Sequence, residues 1–164
     1  MKRFLQSGVV IVAGVLGIAA ATMQADQQDV TKMRKKFDLR EAILRRFFKD
    51  NHCPAEGYAA VFIQEADEHS LDWRLLPSLS VIETGGGRHA PNNNLFGWAN
   101  GKTSFDSFTA AIHHVATFLE IGRPYRGKDL DGKLLSYNHR PEFKDVVMSM
   151  MRQIAPSQQI EGEE

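Results

Sequence analysis

The chain has 164 residues, and its 20 basic residues balance its 20 acidic residues, so the formal net charge at neutral pH is zero. With 43% hydrophobic residues, it is suited to one compact domain with a hydrophobic core. The neutral charge removes any purely electrostatic case for nucleic-acid binding, and we expect no nucleic-acid partner. The single cysteine, Cys53, excludes an internal disulfide framework, and we expect it to be a small buried side chain.

Residues 1–25 are predicted to be a signal peptide or a membrane anchor. They begin with Lys2 and Arg3, continue with an apolar, uncharged run over residues 8–21 and end in small residues. A run of about 14 apolar residues is short for a membrane span, which needs roughly 20, but residues 4–23 together approach that length. Both a cleaved signal and an anchor in the inner membrane therefore stay open. Either one predicts export to the periplasm or the cell exterior.

The rest of the chain is predicted to be a polar, basic linker at residues 26–37, one domain at 38–156, and a polar tail at 157–164. The first helix is expected to run to about Asp50, with Leu39, Ile43 and Phe47 on its buried face because they recur at a spacing of four.

Two further helices are predicted before the middle of the chain. One begins near Pro54 and runs to about His69. The next is capped by Asp72, accommodates Pro77 near its start and ends at Glu83.

The second half of the chain is predicted to contain one irregular segment and two helices. Residues 84–104 are rich in glycine, asparagine and polar residues, which indicates a loop or small hairpin. A helix over residues 104–120 follows, with Asp106 as its expected cap, and the last helix begins at Pro141. The predicted fold class is therefore α+β, mainly α, with an irregular loop or small hairpin after the third helix.

The end of the third helix is the most informative feature of the sequence. Glu83 shares a helical face with Leu76 and Leu79, and the three glycines 85–87 follow directly after Thr84. A carboxylate is disfavoured both by the negative end of the helix dipole and by an apolar environment. Both effects predict a raised pKa for Glu83, which suits a general acid near neutral pH.

Asparagine and aromatic residues follow Glu83, at Asn92–Asn94, Phe96 and Trp98, and a Tyr-Asn pair comes later, at residues 137 and 138. Amides bind sugar hydroxyl and acetamido groups, aromatic rings stack on sugar faces, and a protonated carboxyl can donate to a glycosidic oxygen. Each residue alone also fits a turn or a core position. Together with Glu83 they indicate a carbohydrate site.

The sequence contains H-S-L-D-W-R-L-L-P-S-L-S-V-I-E-T-G-G-G, then N-N-N-L-F-G-W, and later L-L-S-Y-N-H-R-P-E-F. With these motifs, residues 55–155 resemble the lysozyme-like superfamily of peptidoglycan-cleaving enzymes. They are most similar to the bacterial endo-β-N-acetylglucosaminidases. Soluble lytic transglycosylases are the second candidate, but they usually carry a Gly-Leu-Met-Gln-like segment that is missing here.

The resemblance implies that the protein cleaves β-1,4 glycosidic bonds of peptidoglycan glycan strands, with Glu83 as the general acid. It also implies that Tyr137 lies near the scissile sugar and orients or stabilises its acetamido group or its reacting carbon. The resemblance leaves open which of the two glycan bonds is cut.

The resemblance further implies that Asn94, Phe96 and Trp98 form part of the glycan groove. Asn138 is a weaker candidate for the groove, because it can equally cap the turn before Pro141.

No second carboxylate stands out as a nucleophile or base among the next acids along the chain, which are Asp106, Glu120, Asp129 and Asp131. A single-acid mechanism is therefore favoured, in which the substrate's own acetamido oxygen, or its 6-hydroxyl in a transglycosylase, attacks the anomeric carbon. The competing function classes are a non-catalytic glycan-binding or scaffold protein of the envelope and a helical adaptor.

We expect no metal and no organic cofactor. His113 and His114 are adjacent and point to different faces of a helix, and His52 has no second ligand pair nearby. The G-W-A-N-G-K-T segment at residues 97–103 has too few residues between its glycines for a phosphate loop, and no G-x-S-x-G segment occurs.

Overall fold

The structure, a computed structural model, describes residues 38–156. The predicted signal or anchor at 1–25, the linker at 26–37 and the tail at 157–164 lie outside the described residues. Within residues 38–156 the chain forms six α-helices and no strand, which confirms the mainly helical prediction. None of these helices is both long and apolar enough to span a membrane.

The helices, with two short 3-10 helices at Pro54–Tyr58 and Pro91–Asn93, follow one another along the chain. They are α1 (Leu39–Asp50), α2 (Ala59–Glu68), α3 (Leu75–Thr84), α4 (Phe108–Ile121), α5 (Leu130–Tyr137) and α6 (Pro141–Ile154).

The expected hairpin after α3 is not found among the described residues. The segment between α3 and α4 consists of turns, in which Asn92, Asn93, Gly97 and Asn100 have positive φ angles. Repeated left-handed residues turn the chain every few positions, so no two extended runs can pair as strands.

The central helix of the core is α3, which packs against α2, α4 and α6. Almost every residue of its first two turns is buried, as expected for a helix that is surrounded by other elements. Pro77 is the third helical residue, where a backbone N–H has no partner within the helix, so the proline costs no hydrogen bond.

Two predicted helix caps are displaced by one or two residues. Arg74, not Asp72, precedes α3, and the Asp72 carboxylate instead accepts the Arg74 backbone N–H at 3.0 Å. Ser107, not Asp106, caps α4, since its hydroxyl oxygen accepts the Ala110 N–H at 3.1 Å. Asp106 and Ser107 are adjacent and both of their residue types are good caps, so the sequence did not distinguish them.

The buried face of α1 is also displaced from the predicted one. Leu44 and Phe48 are fully buried, whereas Leu39 is 59% exposed, and Phe47 is only partly buried. Both sets recur at a spacing of four, so helical periodicity alone could not select between them.

Candidate active site

The chain leaves α3 in a turn that requires glycine. Gly85 is left-handed, with φ +66°, and its N–H donates to the Val81 carbonyl at 2.9 Å. A β-carbon on Gly86, whose φ is also positive, would lie 2.6 Å from the Cys53 sulfur, which is buried as predicted. The helix therefore ends one residue after Glu83, and this carboxyl lies at the negative end of the helix dipole.

Thr84 joins the end of α3 to the loop that follows it. Its buried hydroxyl donates to the Leu95 carbonyl at 2.8 Å, lies 3.1 Å from the Ser80 carbonyl, and accepts the Gly87 N–H at 3.2 Å. Because Leu95 is held against the helix end, the aromatic residues that follow it are brought beside Glu83.

Glu83 lines a cleft of about 520 Å³, a volume within the usual range for ligand sites. The cleft is open to solvent. The other residues that line it are Phe96, Gly97, Trp98, Ala99, Asn100, Phe118, Tyr125, Tyr137 and Asn138.

The cleft disfavours the charged form of Glu83. The side chain is accessible from the cleft, but the surrounding walls remove part of its hydration, and this desolvation raises the pKa of its carboxyl above the ordinary value. Neither a lysine nor an arginine is among the lining residues, and Glu83 is the only carboxylate among them in the described part of the chain. The site therefore holds one carboxyl, whose pKa lies above its ordinary value.

Tyr137, at the end of α5, faces the same cleft. Its hydroxyl lies 3.4 Å from the Phe96 carbonyl, and its ring stacks on Phe143 at 5.6 Å. Desolvation, followed by the nearby charge of Glu83 and by Tyr125, raises the pKa of Tyr137 far above its ordinary value. Tyr137 is therefore a neutral hydrogen-bond donor beside the carboxyl.

Phe96 and Trp98, both predicted to be groove residues, line the cleft. Phe96 is almost completely buried, and Trp98 is half-buried. The Trp98 ring makes edge-to-face contacts with Phe118 at 5.0 Å and with His114 at 5.3 Å, so two side chains of α4 hold it in place.

Asn94 does not line the cleft, so its prediction as a groove residue is wrong. It is 1% exposed, its amide nitrogen donates to the Trp98 carbonyl at 2.9 Å, and its amide oxygen accepts the Trp98 N–H at 2.7 Å. The side chain thus closes the turn that presents Trp98. Asn138 does line the cleft, and its side-chain oxygen also accepts the Arg140 N–H at 3.1 Å, so the residue both lines the cleft and closes the turn before Pro141.

Three cleft features were missed from the sequence. Tyr125 is buried, and the only sign of this in the sequence was a lone tyrosine in a charged, turn-rich segment. Phe118 lies on the expected helix α4, on the side that faces the cleft. Gly97 has φ +60°, and a β-carbon there would lie 3.6 Å from Glu83 Oε2, so glycine keeps space free beside the carboxyl.

Comparisons of the chain with protein-family models, curated proteins and solved structures found no match. A carboxyl with a raised pKa can act as a general acid, a neutral phenol can orient a polar group, and aromatic walls can pack against the apolar faces of uncharged sugar rings.

Proposed function

We propose that the protein cleaves β-1,4 glycosidic bonds in the glycan strands of peptidoglycan, as a lysozyme-like endo-β-N-acetylglucosaminidase. The observation that carries this proposal is the position of Glu83. It is the only carboxylate of the cleft within the described residues, its pKa is raised by desolvation, and aromatic side chains surround it. The predicted export segment at residues 1–25 would bring the enzyme to this substrate outside the cytoplasm.

In the proposed mechanism, protonated Glu83 donates its proton to the glycosidic oxygen while the bond from the anomeric carbon to that oxygen breaks. The substrate's 2-acetamido oxygen attacks the anomeric carbon and forms a cyclic oxazolinium ion. Water then opens this ion, and the Glu83 carboxylate takes the proton that the water loses. General acid catalysis of this kind contributes about 10²–10⁴-fold to the rate.

Tyr137 acts in this proposal as the group that orients the acetamido function. A phenol that stays neutral can donate to the acetamido oxygen or accept from its N–H without adding charge beside Glu83. Trp98 supplies a flat surface for a sugar ring, and the cleft, which is open to solvent, would admit a glycan strand.

A lytic transglycosylase of the same superfamily is the second candidate. In that reaction the 6-hydroxyl of the muramyl sugar attacks its own anomeric carbon, so no activated water is needed. The lack of a second carboxylate among the cleft residues that the structure describes favours this reaction as well.

Mass spectrometry of purified peptidoglycan after incubation with the full-length protein tests the proposal. Reducing N-acetylglucosamine ends would establish the glucosaminidase, and anhydromuramyl ends would establish the transglycosylase. Glycan binding without any soluble product would instead identify a non-catalytic envelope protein.

The matched variants for this experiment are Glu83→Gln and Glu68→Gln. Glu68 also lies at the end of a helix, α2, and is exposed as Glu83 is, but it lies outside the cleft. We expect Glu83→Gln to lower the rate by at least about 100-fold and Glu68→Gln to leave it unchanged. Near-wild-type cleavage by Glu83→Gln would refute the assignment of the acid.

A further inference from the structure

Three potential metal ligands from α2 and α4 meet outside the cleft. Glu65 lies in the last turn of α2, His69 is the residue directly after this helix, and His113 projects from α4. Glu65 Oε2 lies 3.0 Å from His113 Nδ1 and 3.3 Å from His69 Nε2. One ligand atom of each side chain lies within 4.8 Å of those of the other two, so a single ion could contact all three.

The orientation of His69 is set by a second carboxylate. His69 Nδ1 lies 2.7 Å from Glu120 Oε2, so the N–H of the neutral ring is placed on Nδ1. Its Nε2 then carries the lone pair and faces Glu65, with the Thr117 hydroxyl 3.4 Å away. Histidines that bind metals almost always donate their other N–H to a carboxylate, carbonyl or water in this way.

The burial of the cluster favours a cation. The side chain of Glu65 is only 9% exposed and that of His69 12%, whereas that of His113 is 61% exposed. A buried carboxylate needs charged or hydrogen-bonding partners, and the two imidazoles supply them to Glu65. A divalent ion placed between the three side chains would bind the carboxylate and both imidazole lone pairs together. The exposed His113 side leaves a path for the ion and a position for water.

The distances also agree with a tetrahedral ion. Zinc binds nitrogen and oxygen ligands at about 2.0–2.2 Å, which places neighbouring ligand atoms about 3.3–3.5 Å apart. The two separations from Glu65, 3.0 and 3.3 Å, need to widen by only a few tenths of an ångström, and the two histidine nitrogens lie within 4.8 Å of each other. Two histidines, one carboxylate and water form a known zinc ligand set.

We propose that Glu65, His69 and His113 form a divalent transition-metal site of the zinc type, with Glu120 as the outer carboxylate that orients His69. The ion would join α2 to α4, the helix that carries Phe118 of the cleft. This site does not depend on the proposed glycan cleavage, and its test does not use that activity.

The test is zinc titration by calorimetry of the full-length protein after chelator treatment, together with thermal unfolding with and without zinc. We expect one saturable site per chain and a higher unfolding temperature with zinc, since an ion that binds only the folded state stabilises it. Cobalt in the same site should give the visible absorption of a four-coordinate ion. Equal unfolding temperatures and no saturable binding would overturn the proposal and leave a hydrogen-bonded cluster.

Three variants make the assignment specific. Glu120→Gln should weaken zinc binding by about 10–100-fold, and His113→Gln should weaken it further because it removes a ligand. His89→Gln, an exposed histidine outside the cluster, should bind as the wild type does. His113 is exposed, so its variant should keep the fold, which circular dichroism checks. Wild-type affinity in His113→Gln would overturn the site.

Discussion

Glu83 is the residue at which stability and the proposed activity oppose each other. Its pKa is raised in the folded state, so ionisation of Glu83 costs stability as the pH rises from its unfolded pKa through its folded pKa. Below the unfolded pKa both states are protonated and the cost is absent. A purely structural role would have favoured a neutral side chain here.

We therefore expect Glu83→Gln to be more stable than the wild type at neutral pH and to lose this advantage below about pH 4.5, the ordinary pKa of the side chain. Urea unfolding at pH 7 and pH 4 measures the difference. Glu68→Gln, which changes an exposed carboxylate, should show no such pH-dependent gain. An equal gain for Glu83→Gln at both pH values would contradict the burial argument.

The same raised pKa predicts the pH dependence of cleavage. A general acid must be protonated, so the rate should fall as the pH rises through the pKa of Glu83, at a higher pH than for an ordinary glutamate. The pH profile of kcat/KM on soluble glycan strands measures this limb. A rate that keeps rising through the alkaline range would mean that Glu83 is not the acid.

Asn94 acts on the cleft through Trp98. Asn94→Ala should destabilise the fold by about 1–3 kcal/mol, because it leaves the Trp98 backbone groups without their partners. Asn94→Asp can still accept the Trp98 N–H but cannot donate to the Trp98 carbonyl. It therefore keeps one of the two hydrogen bonds, and its loss of stability should differ from that of Asn94→Ala. Urea unfolding followed by tryptophan fluorescence compares the two variants, and unchanged stability in both would refute the assignment.

At the scale of elements, the junction between α3 and its loop determines where the acid and the aromatic wall meet. Thr84→Val keeps the shape but removes the hydroxyl that binds Leu95 and Gly87, so we expect a loss of about 1–3 kcal/mol and lower cleavage. Thr84→Ser keeps the hydroxyl and is the control. Equal effects of the two variants on unfolding would show that packing, not hydrogen bonding, joins the loop to the helix.

At the scale of the whole molecule, Arg74 connects the start of α3 to the end of α6 by a hydrogen bond, and an ion pair with Asp72 holds its guanidinium in place. Arg74 donates to the Asp72 carboxylate at 2.6 Å and to the Ala155 carbonyl at 3.0 Å. Desolvation would raise the pKa of Asp72, but its hydrogen bonds and charge interaction with Arg74 together lower it. This depressed pKa contributes stability above the unfolded pKa that is lost as the pH falls through the folded pKa.

Asp72→Asn should therefore lower the free energy of unfolding by about 1.5–3 kcal/mol at neutral pH and flatten the acid side of the stability profile. Asp67→Asn is the matched control, since Asp67 pairs with Arg40 but is 54% exposed, and such surface pairs contribute about 0–1 kcal/mol. Guanidinium unfolding between pH 2 and pH 7 compares them. Equal losses in the two variants would contradict a special role for the α3–α6 connection.

The sequence by itself determined the features that depend on local periodicity and on turn residues. Apolar spacing placed most of the helices, and the glycines after Thr84 placed Glu83 at a helix end. The raised pKa of Glu83 was also predicted, but its side chain is exposed to the cleft and is not buried on the apolar face of α3. The short helix α5 was missed, since its eight residues include Gly132 and follow a turn-rich segment.

Tertiary structure decided everything that depends on residues far apart in the chain. It buried Leu44 instead of Leu39, bonded the Asn94 side chain to the backbone of Trp98 in the same turn, and brought Tyr125 into the cleft. It also assembled His69 and His113 around one carboxylate, although neither is near the other in sequence. Periodicity shows which residues share a face, but only packing between helices determines what that face meets.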